Sequence, residues 1–140
     1  MSPRPRVLFV CVENACRSQM AEALARGLLG DHAEIFSAGS RPGEQVNPLA
    51  IAVLREEGLS ISGAAPKGIE DLPSGTFDYV VTMGCGDSCP QIAARRRIDW
   101  FIPDPKGQPI DVFRRTRDQI GAHVRMLADQ IKHIHALEGA

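Results

Sequence analysis

Cys11 lies six residues before Arg17, with Ser18 next, in the run Val-Leu-Phe-Val-Cys-Val-Glu-Asn-Ala-Cys-Arg-Ser. A buried apolar run that ends at a cysteine, followed by a short loop and a helix start, suits a thiolate attacking a tetrahedral oxyanion. Free thiols titrate near ~8.5, and helix N-termini or nearby cations lower this to ~3.5–7.5. The backbone amides of Val12, Glu13, Asn14, Ala15, Cys16 and Arg17 are the candidate oxyanion cradle, because aligned peptide dipoles favour negative charge there. The Arg17 fork can hold two oxygens of one anion. Ser18 is placed to donate to the Cys11 sulfur; helix capping is its other reading. Glu13 puts a negative charge in the loop, which disfavours an anion unless its side chain turns outward. Cys16 reads as a buried cysteine at the helix start, or as a disulfide partner or resolving thiol for Cys11.

Two further features fit such a loop. Asp104-Pro105 follows Trp100 and Phe101. A carboxylic acid there can protonate a departing oxygen, although Asp-Pro is also an ordinary turn. The run Thr82-Met83-Gly84-Cys85-Gly86-Asp87-Ser88-Cys89-Pro90 carries two cysteines four positions apart. A phosphoryl-transfer site needs one nucleophilic thiol and no such pair. A thiol reductase needs a second thiol to resolve an oxidised first one and a third to carry the disulfide outward. The glycines give that loop freedom to swing.

These residues need a scaffold, and the chain supplies the pattern of one. At 140 residues, with 44% hydrophobic side chains, residues 1–140 read as a single globular domain. Sixteen basic and seventeen acidic residues give a net charge of −1, so nothing calls for nucleic acid or a membrane surface as partner. Arg95-Arg96-Arg97 is the one basic cluster and reads as a solvated loop. No signal peptide or membrane span is legible, so a cytoplasmic protein with four reduced cysteines is expected.

Strand-like and helix-like segments alternate, as in an α/β unit. Strands are expected over residues 6–12, 34–37, 79–83 and 97–101. Helices are expected over 18–29, stopped by Gly30, over 48–57, capped by Asn47 and closed by Gly58, and over 111–137; a short one falls within 67–72. Residues 40–46 read as a loop. His123, His133 and His135 fall in or near the last helix and read as solvated. Ligands of open parallel sheets bind beyond the carboxyl ends of strands, where Cys11 falls.

The segment Phe-Val-Cys-Val-Glu-Asn-Ala-Cys-Arg-Ser-Gln-Met-Ala-Glu-Ala resembles the signature of the low-molecular-weight tyrosine phosphatase superfamily, and is most similar to its arsenate reductase branch. The resemblance continues through Phe36-Ser37-Ala38-Gly39, Val46-Asn47-Pro48, Val80-Val81-Thr82-Met83, the cysteine pair, Asp99-Trp100, Asp104-Pro105 and Arg117-Asp118. It implies an α/β fold, a four-stranded parallel sheet flanked by helices on both faces. It also implies reduction of arsenate to arsenite for arsenic detoxification, with no cofactor beyond an external thiol reductant. Carried over by residue, it makes Cys11 the nucleophile, Arg17 the anion holder, Ser18 the tuner of the thiolate and Asp104 the acid. Cys85 and Cys89 become the relay pair, and Asn14 the residue that shapes the loop. Thioredoxin is the implied donor. The relay pair is spaced more tightly than is common in thioredoxin-coupled relatives, as in a subgroup with members using other thiols, so another thiol donor stays open. Some relatives bind potassium through an asparagine, a glutamate, a serine and an aspartate. Asn14, Glu22 and Ser37 match three of these, and Lys67 stands in the fourth place. A lysine ammonium can replace the ion, so no metal is expected.

Three rival readings remain. A tyrosine phosphatase would share Cys11, Arg17 and Asp104, but an aryl phosphate wants aromatic walls, and Lys106-Gly107 follow the Asp-Pro. Four thiolates could instead hold a structural zinc, or serve a redox sensor.

Overall fold

The computed structural model describes residues 4–61, 63–84 and 92–138. Cys85 and Cys89, and with them the expected relay loop, lie outside the described residues.

Four parallel strands form one sheet: β1 (Arg6–Cys11), β2 (Glu34–Gly39), β3 (Phe77–Thr82) and β4 (Ala94–Asp99), in the order β2-β1-β3-β4. Three α-helices accompany them: α1 (Arg17–Leu29), α2 (Pro48–Arg55) and α3 (Ile110–Glu138). β1 is central, and its Val7, Leu8, Phe9 and Val10 are fully buried, as expected for a strand covered on both faces. The chain leaves β1 to one side for β2 and to the other for β3. That reversal opens a crevice at the carboxyl end of β1, where Cys11 is the last residue.

Side chains alternate between the faces. Val7, Phe9, Cys11, Tyr79 and Val81 join Met20, Ala21 and Ala25 of α1, Val53 and Leu54 of α2, and Phe113, Ile120 and Val124 of α3 in the larger core. Leu8, Val10, Ala38, Phe77 and Val80 form the smaller one, covered by Ile69, Leu72 and Ile92. The expected helical cover is thus three α-helices on one face and, among the described residues, the 3₁₀ turn Ile69–Asp71 on the other.

Most boundaries lie close to expectation. Asn47 caps α2 by accepting the Leu49 amide, and α1 ends at Gly30 with φ +51°. β4 is the exception, starting three residues before the expected 97–101. Pairing decides it: Phe77 aligns with Ala94 and Thr82 with Asp99, so Trp100 and Phe101 fall beyond the strand. Arg95, Arg96 and Arg97 are therefore strand residues, not a loop. β4 lies at the sheet edge, where charge is tolerated and blocks further pairing. Arg95 pairs with Asp78, and Arg96 donates to the Tyr79 hydroxyl. His123 is not simply solvated either, because its ring stacks on Trp100 with centroids 5.0 Å apart.

Candidate active site

The loop between β1 and α1 is held from outside by its own carbonyls. Those of Cys11, Val12, Glu13 and Ala15 accept the amides of Ser40, Arg41, Gly43 and Asn47 respectively. All peptides described are trans, and in a trans peptide the N–H opposes the C=O. The amides of Val12, Glu13, Asn14 and Cys16 therefore point away from residues 40–47. Gly39 makes this packing feasible. A Cβ there would lie 2.6 Å from the Val12 oxygen and 2.8 Å from the Asn14 nitrogen, so only glycine allows the approach.

Asn14 shapes the turn. It is the one non-glycine residue with positive φ among those described, at +53°, and its buried side chain is saturated. Its amide nitrogen donates to Ser18 Oγ at 2.7 Å and Ser37 Oγ at 2.9 Å. Its oxygen accepts from Gln19 Nε2 at 3.0 Å and the Lys67 amide at 2.8 Å. These bonds offset the cost of a left-handed conformation. Ser37 in turn donates to Glu22, whose carboxylate lies 3.5 Å from Lys67 Nζ. The expected ammonium thus stands beside Glu22.

Ser18 Oγ lies 2.9 Å from Cys11 Sγ. Since Ser18 Oγ already accepts a hydrogen bond from Asn14 Nδ2, its own hydroxyl hydrogen is free to point at the sulfur. Ser18 does not cap the helix. The N-cap is Cys16, with no side-chain cap bond, so the first-turn amides keep their unpaired character.

Arg17 is almost fully buried. Its Nη1 donates to the carbonyls of Met83 (2.8 Å) and Ile102 (3.0 Å), which follow β3 and β4. Its Nη2 lies 3.6 Å from Asp104 Oδ2, and its buried Nε has no hydrogen-bond partner among the described residues. Gly84, at φ +75°, clears room for the guanidinium, since a Cβ there would lie 2.5 Å from Nη1.

Cys11, Glu13, Ala15, Cys16, Arg17 and Asp104 line one open cavity of about 330 Å³. Val12 and Asn14 belong to the loop but not to this lining. The two cysteines differ in kind. Burial pushes the Cys16 thiol strongly up, Asp104 and the Cys11 sulfur add to it, and Arg17 only partly opposes. Cys16 is held as a neutral thiol, which fits packing better than nucleophilic resolution.

Sequence reading passed over three contributors: Gly39, Gln19 and the carbonyls that Arg17 holds. Only Gly39 left a signal, as the glycine of the Ala38-Gly39 pair that ends the second strand pattern. No described side chain lining the cavity is aromatic. Among the described residues, no cluster of three or more His, Cys, Asp or Glu side chains could hold a metal ion, and no helix is long and apolar enough to cross a membrane.

Comparison with known proteins adds a second line. The family profile of low molecular weight phosphotyrosine protein phosphatases matches residues 6–136. The glutaredoxin arsenate reductase of Synechocystis sp. is 38% identical over 129 residues, covering 90% of this chain and 98% of its own. A solved arsenate reductase in the phosphate-binding state superposes with a TM-score of 0.83 at 37% identity, covering 91% of this chain and 98% of its own. The thioredoxin-dependent arsenate reductase of Corynebacterium glutamicum superposes with a TM-score of 0.75 at 38% identity. That match covers 94% of this chain and 63% of the Corynebacterium one.

Proposed function

The chain belongs to the low molecular weight phosphotyrosine protein phosphatase family, and on that premise we propose that it is an arsenate reductase that works through a cysteine relay. One observation carries the chemistry: Cys11 Sγ sits 2.9 Å from Ser18 Oγ, in the same cavity as Arg17 and Asp104. Arsenate is tetrahedral and fits a phosphate cradle. The loop amides and Arg17 hold its oxygens. The Cys11 thiolate attacks arsenic while Asp104 gives a proton to the departing hydroxide, which leaves as water.

A sulfur–arsenic(V) bond remains. The Cys85 thiolate attacks Cys11 Sγ, and the electron pair of the S–As bond passes to arsenic, releasing arsenite. Cys89 then attacks Cys85, freeing Cys11 and leaving a Cys85–Cys89 disulfide. A dithiol protein of the thioredoxin type, or of the glutaredoxin type, takes the oxidation away. No metal or organic cofactor enters these steps. The four cysteines suit the reducing cytoplasm.

The phosphatase reading shares the first attack but fits this cavity less well. Its described lining gives an aryl ring nothing to stack on. The test is arsenite release with thioredoxin and glutaredoxin systems in parallel, beside hydrolysis of an aryl phosphate. Arsenite release with at least one donor, far exceeding aryl phosphate turnover, is expected. Rapid aryl phosphate hydrolysis without arsenite would reverse the assignment.

A further inference from the structure

Glu13 is an acid in a loop built to hold anions, and it lines the cavity. It is met from across the mouth. Lys106 Nζ lies 2.9 Å from both Glu13 oxygens, joining residues 93 positions apart. The Glu13 contact also holds the Lys106 ammonium above its ordinary pKa.

Lys106 belongs to the turn that presents Asp104. The Lys106 amide donates to Asp104 Oδ1 at 3.1 Å, the Gln108 amide donates to the Pro105 carbonyl, and Gly107 takes φ +83°. One four-residue turn thus sends a carboxylate toward Arg17 and an ammonium toward Glu13.

We infer that Lys106 is a positioning residue that acts through Glu13, cancelling its charge at the cavity mouth, so that the site accepts an oxyanion despite an acid in its loop. This rests on the reductase reading only for the identity of the oxyanion. With the ammonium in place, the Glu13 charge is paired, and Glu44 and Asp104 are the other acidic residues of the lining. Without it, the anion meets an unpaired carboxylate beside the cradle. Both partners are partly exposed, so the effect is screened by salt.

The experiment is calorimetric binding of inorganic phosphate to the full chain at low and high ionic strength. Lys106→Gln is expected to weaken phosphate binding about tenfold at low salt, and less at high salt, the size of one poorly screened charge near an anion. Adding Glu13→Gln to Lys106→Gln is expected to restore binding, which a merely structural role for Lys106 would not allow. Unchanged affinity in Lys106→Gln overturns the inference. So does a double variant as weak as the single one, because Lys106 would then act without Glu13. Failure of the reductase reading shows separately, as absent arsenite release by the unaltered chain.

Discussion

The loop from Cys11 to Ser18 and the turn from Asp104 to Gly107 face each other across one cavity, yet different forces hold them. Asn14, Ser18 and Ser37 are fully buried and hydrogen-bonded to one another behind the loop. The turn is anchored at the buried Pro105 but exposes its charged side chains, 42% for Asp104 and 62% for Lys106, and is tied by ionic contacts to Arg17 and Glu13. Buried hydrogen bonds are strong and insensitive to salt, whereas exposed ion pairs are weak and screened. The nucleophile and its cradle are therefore preorganised by buried hydrogen bonds, and the acid is placed by ionic contacts nearer the surface. That division suits a chemistry in which other thiols must reach Cys11 after the first attack.

The comparison can be broken at several points. Cys11→Ser should reduce arsenite release by more than about 10⁴-fold, as loss of a nucleophile does elsewhere, and multiple-turnover assays check this. Asp104→Asn should cost about 10²- to 10⁴-fold, the range of a lost general acid, and its residual rate should vary with salt because the turn is held ionically. Ser18→Ala should cost about 10- to 100-fold, the worth of a hydrogen bond to a charged sulfur, with no change in that factor between low and high salt. A salt-dependent Ser18→Ala and a salt-independent Asp104→Asn would invert the picture.

Cys16 supplies the smallest effect. Its folded pKa lies above the ordinary thiol value of 9.0. Below that pH both folded and unfolded chains carry the proton, and its stabilising contribution is complete. Above it the unfolded chain releases the proton first, so stability falls as pH climbs toward the folded value, by up to ~1.4 kcal/mol per pH unit. Cys16→Ser should flatten this slope between pH 9 and 10 and leave arsenate reduction nearly unchanged. Urea unfolding at each pH, beside the activity assay, measures both.

Local features of the site were legible in the sequence, and its long-range contacts were not. Cys11 at the end of an apolar run, Arg17 and Ser18 at the spacing of a helix start, and Asp104 before proline all follow from neighbours along the chain. The left-handed Asn14 depends on partners at Ser18, Gln19, Ser37 and Lys67, brought together only when β2 lies beside β1. Glu13 read as an obstacle because Lys106, which answers it, comes from the far side of the sheet. β4 was displaced in the reading because Trp100 and Phe101 are apolar and Arg95 to Arg97 are not. An edge strand is fixed by its pairing with β3, which outweighs hydropathy there.

The most direct test omits the external donor. Fully reduced protein mixed with arsenate alone should release one arsenite per chain and then stop, with free thiols falling from four to two. Arsenite withheld while all four thiols remain titratable would contradict the claim that this chain's own sulfurs deliver the electrons.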